Sequence, residues 1–193
     1  MRESGYGQRV NIRPWRTVSR RVLLDREPWF TVGEETVELP DGRIVEDFGF
    51  IDMLEFAVIV PVTAAGETIL IRSYKHGIRA VSLSLPAGGL DAGEEPLAGA
   101  QRELREETGF ESERWQALGR YIVDPNRGCG VMHAFIAHHA RKVQEPNSGD
   151  LEDQELLVMP MSEALARLRA GEIAQLSTAA ALSLAEIALR EGR

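Results

Sequence analysis

Three glutamates, Glu103, Glu106 and Glu107, stand close together behind a glycine-rich stretch, Ala87-Gly88-Gly89-Leu90-Asp91-Ala92-Gly93. Between Asp91 and Glu113 the chain holds eight acidic side chains against Arg102 and Arg105, a net of −6 in 23 positions. On a helix of about 3.6 residues per turn the three glutamates fall at about 0°, 300° and 40°, so their carboxylates share an arc of about 100°. Local preference opposes that placement. Glu103 and Glu107 are a like-charge i,i+4 pair costing roughly 0.2–0.5 kcal/mol, and all three lie in the half nearest the negative end of the helix dipole. A divalent cation corrects both faults, because Mg2+ takes carboxylate oxygens and keeps its other positions for water and substrate phosphates. From charge alone, a solvated acidic helix face remains the alternative.

The glycines in front of the helix narrow the choice. Gly88, Glu94, Arg102, Glu103, Leu104, Glu106, Glu107, Gly109 and Phe110 stand at the spacing G-x5-E-x7-R-E-U-x-E-E-x-G-U, where U is apolar. Nine specified positions over 23 residues rarely coincide by chance, unlike a lone short glycine motif. The pattern resembles the Nudix hydrolase box without a departure. Ser84-Leu85-Pro86-Ala87-Gly88 is similar to the L-P-A-G entry of the ADP-ribose and nucleoside-diphosphate-sugar pyrophosphatase subgroup. Ile71-Arg72-Ser73-Tyr74-Lys75 resembles its R-Q-Y-R strand end, with Lys75 where Arg is commoner. Pro125, 15 residues after Phe110, and the acidic run Leu151-Glu152-Asp153-Gln154-Glu155 before a strand extend the likeness.

The resemblance implies hydrolysis of a pyrophosphate, with Glu103, Glu106, Glu107 and the Ala87 carbonyl holding Mg2+ or Mn2+. Glu94 supports the loop. Arg102 reads as a clamp holding a glutamate in place rather than as a substrate contact, because positioned ligands need such support. Gly88 permits a tight turn near the phosphates, and Gly109 a positive φ where the helix stops. A general base must come from outside the helix, and Glu152 and Glu155 are the candidates. Arg72 and Lys75 suit the diphosphate. Trp15 and Trp29 offer a face for the nucleobase, or else pack in a core or interface. The single cysteine, Cys129, and the close pair His138 and His139 form no zinc or disulfide pattern.

These residues need a scaffold, and the apolar spacing supplies one. Phe30–Leu39 and Arg43–Phe50 flank the turn Pro40-Asp41-Gly42 and read as a hairpin. Further strands are expected at 56–62, 67–74, 79–85, 115–123, 131–138 and 155–160. The box helix is expected from about Glu95 to Thr108, with Leu97, Ala100 and Leu104 as its packing stripe and Gly109 as C-cap. Two more helices are expected, one capped by Ser162 and ending at Gly171, the other running from Ser177 to about Arg190. Strands that do not alternate regularly with helices indicate an α+β domain, not a doubly wound sheet. With the resemblance, the expected fold is a Nudix-like α/β/α sandwich with a mixed sheet (residues 51–193), preceded by an N-terminal β-strand appendage (residues 1–50).

In 193 residues the chain is 44% hydrophobic and 27% charged, within the globular range, with a net charge of −8. That balance argues against nucleic acid as an electrostatically captured partner. No apolar run reaches the roughly 20 residues of a membrane span, so a cytoplasmic protein without a membrane partner is expected. Residues 1–26 differ, with seven Arg against Glu3 and Asp25. This basic arm is either a solvated terminus or a strand-bearing appendage that brings Arg and Trp to an anionic ligand or a partner subunit. The subgroup likeness implies a homodimer and a nucleotide-sugar substrate, with ADP-ribose foremost. Nucleoside triphosphates, dinucleoside polyphosphates or a non-cleaving nucleotide-binding domain stand as alternatives; a non-cleaving relative is expected to lack box glutamates that this chain retains.

Overall fold

The computed structural model describes residues 11–149 and 153–192. The chain divides into two compact units between Asp52 and Met53. The first is a three-stranded sheet of order β1-β2-β3, formed by β1 (Arg16–Arg26), β2 (Phe30–Glu38) and β3 (Ile44–Met53). The hairpin expected around Asp41 is β2–β3. The basic arm contributes the strand β1, antiparallel to β2. Its arginines are drawn into the sheet by cross-strand carboxylates: Arg16 bonds Glu38, Arg21 bonds Glu34 at 2.7 Å, and Arg20 bonds Asp52 while its guanidinium lies 3.7 Å from the Phe50 ring centre.

The second unit is built on a mixed sheet whose central path runs β12-β5-β4-β10-β9. Its strands are β4 (Phe56–Val62), β5 (Glu67–Lys75), β9 (Arg114–Asp124), β10 (Cys129–His138) and β12 (Gln154–Pro160), with β6 (Ala80–Ser84) and β7 (Ala87–Gly89) off that path, while β8 (Phe110–Glu111) and β11 (Arg141–Lys142) form a separate two-stranded ladder. β4 and β10 run parallel, the other pairs antiparallel. The near-unbroken apolar run of β4 follows from burial on both faces. Helix α1 (Pro96–Thr108) covers one face, where Ala57, Ile59, Ile69 and Phe135 meet Ala100 and Leu104. Helices α2 (Met161–Arg169) and α3 (Leu176–Arg190) cover the other, where Val58, Val60, Leu70 and Ile136 meet Ala164, Ala181 and Leu182. The unit is thus an α/β/α sandwich. Among the described residues no helix is long and apolar enough to cross a membrane.

Several local expectations shift. Leu97 is 40% exposed, so the α1 stripe narrows to Ala100 and Leu104 with Gly99 and Thr108. Ser162 lies inside the first turn of α2, whose N-cap is Pro160, and α3 opens one residue before Ser177. The start of the glycine-rich stretch, read as a turn, forms β7: Ala87 and Gly88 pair with Val58 and Ala57. β4 and β5 are paired at Val62 and Thr68, the closed end of their hairpin. Beyond it β7 takes the β4 edge and β6 the β5 edge, which carries the box turn onto the central strand beside α1.

Candidate active site

α1 begins with Pro96, whose fixed φ suits a first helical position, and stops at Gly109 with φ 72°, where the Gly109 N–H donates to the Arg105 carbonyl. Two glutamates of this helix, Glu103 and Glu106, and Glu94 before it converge on one cation. Arg102 donates from Nε and Nη2 to the two oxygens of Glu94 at 3.0 and 2.9 Å, and from Nη2 to the Gly89 carbonyl at 3.0 Å. Its Nη1 donates to Glu103 at 2.6 Å and Glu106 at 3.2 Å. The Glu107 carboxylate accepts the Ala87 N–H at 2.7 Å, which ties the turn to the helix. The fork on Glu94, aided by the Asp91 N–H, depresses the Glu94 carboxyl to about 2, and the surrounding carboxylates raise the proton affinity of Arg102 further.

Gly88 is required here by space. A Cβ on it would lie 2.1 Å from the Glu103 carboxylate. Gly109 is required twice, by its positive φ and because a Cβ would lie 2.1 Å from the Gln144 carbonyl oxygen. That contact belongs to a strap with no sequence signal. Val143 and Gln144 donate to the Gly109 carbonyl, and the Asn147 N–H donates to the Glu106 carbonyl at 2.7 Å.

Glu103, Glu106 and Glu107 offer only hard carboxylate oxygens, close together and next to a glycine cradle, a donor set that fits Mg2+ or Mn2+. Among the described residues no three His, Cys, Asp or Glu side chains form a ready-made metal cluster. The reason is visible in the bonds above: the Arg102 guanidinium lies among the carboxylates and Glu107 is turned to Ala87. Beside them an opening of about 300 Å3 is lined by Ala98, Gln101, Arg102, Arg105 and Glu106.

The other expected site residues are distributed differently. Arg72 and Glu155 are cross-strand partners on β5 and β12, and Arg72 Nη1 donates to Glu155 at 3.0 Å. They share a sheet face with Leu70 and Leu157, the face of α2 and α3, whereas α1 packs on the opposite one. Arg72 also lines a cavity of about 220 Å3 with Ser82, Arg167 and Glu172. Lys75 ends β5 opposite Ala80. Glu152 lies outside the described residues. In the first unit Trp29 is 70% exposed at the β1–β2 turn, and Trp15 is 53% exposed, edge-on to Phe48 at 5.7 Å. Neither indole is a core residue of that unit.

One polar cluster had no signal in the sequence. His133 Nε2 and Arg120 both bond the Glu55 carboxylate, at 2.5 and 3.2 Å, and the Glu55 carbonyl accepts the Leu90 N–H at 2.8 Å. The bond to His133 holds the Glu55 carboxyl below its ordinary range. This cluster braces the box loop from the sheet, across 78 positions of sequence.

Comparison with known proteins identifies the family and the fold. A NUDIX domain model matches residues 53–179, and a nucleoside diphosphate sugar hydrolase N-terminal domain model matches residues 15–51. An ADP-ribose pyrophosphatase of Bacillus subtilis (strain 168) is 28% identical over 160 residues, covering 79% of this chain and 83% of that protein. An ADP-ribose pyrophosphatase of Mycobacterium tuberculosis (strain ATCC 25618 / H37Rv) is 32% identical over 151 residues, 75% of this chain and 70% of that one. A GDP-mannose pyrophosphatase of Escherichia coli O1:K1 / APEC is 28% identical over 167 residues, 81% and 86% of the respective chains. The crystal structure of an ADP compounds hydrolase shares the fold, with a TM-score of 0.80 and 21% identity over 95% of this chain and 98% of that one. A glycine-cradled acidic helix on an α/β/α sandwich, matched by the domain model over residues 53–179, places the chain in the Nudix family of hydrolases.

Proposed function

We propose that the protein hydrolyses the pyrophosphate bond of ADP-ribose or a related nucleoside diphosphate sugar, with Mg2+, giving a nucleoside monophosphate and a sugar phosphate. The convergence of Glu94, Glu103 and Glu106 on Arg102 beside the Gly88 turn carries this reading. Such a concentration of carboxylates next to an opening of about 300 Å3 would suit a divalent cation and an anionic substrate. The match of residues 15–51 to a nucleoside diphosphate sugar hydrolase N-terminal domain, and relatives named for ADP-ribose and GDP-mannose, support the substrate class.

Glu103, Glu106 and Glu107, with the Ala87 carbonyl, would hold the ion, and Mn2+ can replace Mg2+ in such an oxygen set. When bound, the ion neutralises the charge that builds up on the diphosphate oxygens. Glu94 and Arg102 keep the loop and the metal-holding carboxylates in place. Arg72 and Lys75 bind the diphosphate, and Trp15 or Trp29 stacks on the base. The water is deprotonated by Glu152 or Glu155. Glu155 is held by Arg72 at 3.0 Å and must be released from it to serve as the base.

A homodimer completes the proposal. β1 pairs with β2 alone among the described strands, and it is exposed along all 11 residues, including Val18, Val22 and Leu24. Such an edge invites a second copy. Incubation with ADP-ribose, GDP-mannose and ATP, with and without Mg2+, tests the activity by chromatography of the products. Nucleotide sugars are expected to be cleaved to monophosphates only with the ion present; preference for ATP rejects the substrate class. Sedimentation equilibrium tests the dimer, and a monomer at micromolar concentration rejects it.

A further inference from the structure

We propose that Arg102 is an exchangeable counter-ion as well as a clamp: one edge of its guanidinium stays on Glu94, while the other neutralises Glu103 and Glu106 until a divalent cation takes those two carboxylates over. The inference rests on the metal reading above and extends it to the metal-free protein.

The division of labour is written in the bonds. Nε and Nη2 form a parallel pair with the two oxygens of Glu94 at 3.0 and 2.9 Å, and Nη2 also meets the Gly89 carbonyl. Glu94 is fixed independently by the Asp91 N–H at 3.0 Å. A bidentate fork with a second support on each side is the stronger edge. Nη1, by contrast, divides its two N–H groups between Glu103 and Glu106, at 2.6 and 3.2 Å. The longer of these bonds goes to the more exposed carboxylate, Glu106, at 44% against 12% for Glu103. The guanidinium is planar and rigid, so the Nη1 bonds can be given up while the Nε/Nη2 edge keeps its place.

The electrostatics require such an occupant. Glu103, Glu106 and Glu107 stand on successive turns of one helix near its negative end, where an uncompensated cluster is repelled by itself and by the dipole. Arg102 supplies a positive charge shared by Glu103 and Glu106 in the metal-free helix. A dication offers more charge to the same oxygens and draws the Glu103 and Glu106 carboxylates off Nη1. Glu94 and the Gly89 carbonyl meanwhile keep Arg102, and with it the glycine turn, in position.

Guanidinium 15N NMR of the full chain, titrated with Mg2+ alongside calorimetry, tests this on the unaltered protein. The expected result is a shift of the Arg102 Nη1 signal that follows metal saturation while the Nε signal, on Glu94, stays. Equal movement of both, or movement of neither while calorimetry registers binding, overturns the proposal and leaves the metal reading standing. An absence of Mg2+ binding overturns both. Thermal unfolding of Arg102→Gln in EDTA and in saturating Mg2+ gives a second readout. Loss of the counter-ion weakens the metal-free form more than the loaded one, so the rise in Tm on adding metal is expected to exceed that of the unaltered chain by about 2–4 °C. An equal or smaller rise, which a pure clamp gives when its ligands are misplaced, overturns the exchange.

Discussion

A methyl group on Gly88 would begin 2.1 Å from the Glu103 carboxylate, so the turn on β7 and the first box glutamate of α1 touch directly. The obstacle is the far end of a flexible side chain, not backbone. Gly88→Ala therefore pushes Glu103 aside with little cost to the fold. A displacement of about 1 Å at a reacting centre costs on the order of 10²-fold in rate. Turnover is expected to fall by about that factor with a Tm close to that of the unaltered chain; normal steady-state rates would remove this contact from the site.

Glu106→Gln keeps the shape of the side chain and removes a charged donor. Glu106 is part exposed, so stability should change by no more than about 0.5 kcal/mol. Loss of a supporting partner at a metal site already costs about 10–100-fold, and loss of a ligand should exceed about 100-fold in turnover. Kinetics at saturating Mg2+ check this, and near-normal rates would reject the metal assignment.

Glu94 makes acid stability readable. Its carboxyl is lowered from 4.5 to about 2 by Arg102, and then by the Asp91 N–H. A lowered folded value gives a contribution that is complete above about pH 4.5 and is lost as the pH falls toward 2. The stability difference between the unaltered chain and Glu94→Gln, measured by denaturant unfolding, should therefore be constant above pH 5 and shrink below 4.5. A difference that stays flat to pH 2.5 contradicts the ion pair.

Gly109→Ala meets a fixed obstacle, the Gln144 backbone carbonyl at 2.1 Å, and a φ of 72°. Strain of this kind costs about 1–3 kcal/mol. The strap from Val143 to Asn147, which hangs on the Gly109 and Glu106 carbonyls, should loosen with it. Urea unfolding is expected to show the loss, and hydrogen exchange at Val143 and Asn147 its location. An unchanged midpoint is the contrary result.

The base is separable by kinetics. Glu152→Gln and Glu155→Gln are each compared with the unaltered chain, and one of them should lower kcat by about 10²-fold or more with KM little changed. If Glu155→Gln alters only KM, its part is to orient Arg72 through their 3.0 Å bond. If neither substitution lowers kcat, the base lies outside the 151–155 segment.

By itself, the sequence determined what is local. The box spacing pointed to the family, to the span and end of α1, and to Glu103, Glu106 and Glu107 sharing one arc of that helix, because these depend on helical period and on glycines a few positions away. The unbroken apolar run of Phe56–Val62 announced a central strand for the same reason. Only the tertiary structure decided which edge the glycine turn would join, where β7 takes the β4 edge in preference to β5. It alone set His133 on Glu55 and Arg72 on Glu155, partners 78 and 83 positions apart. It also left Leu97 to solvent while burying Ala100 and Leu104. Strand register and the angle at which a helix meets a sheet arise from the packing of all the layers together, and no short window of residues contains them.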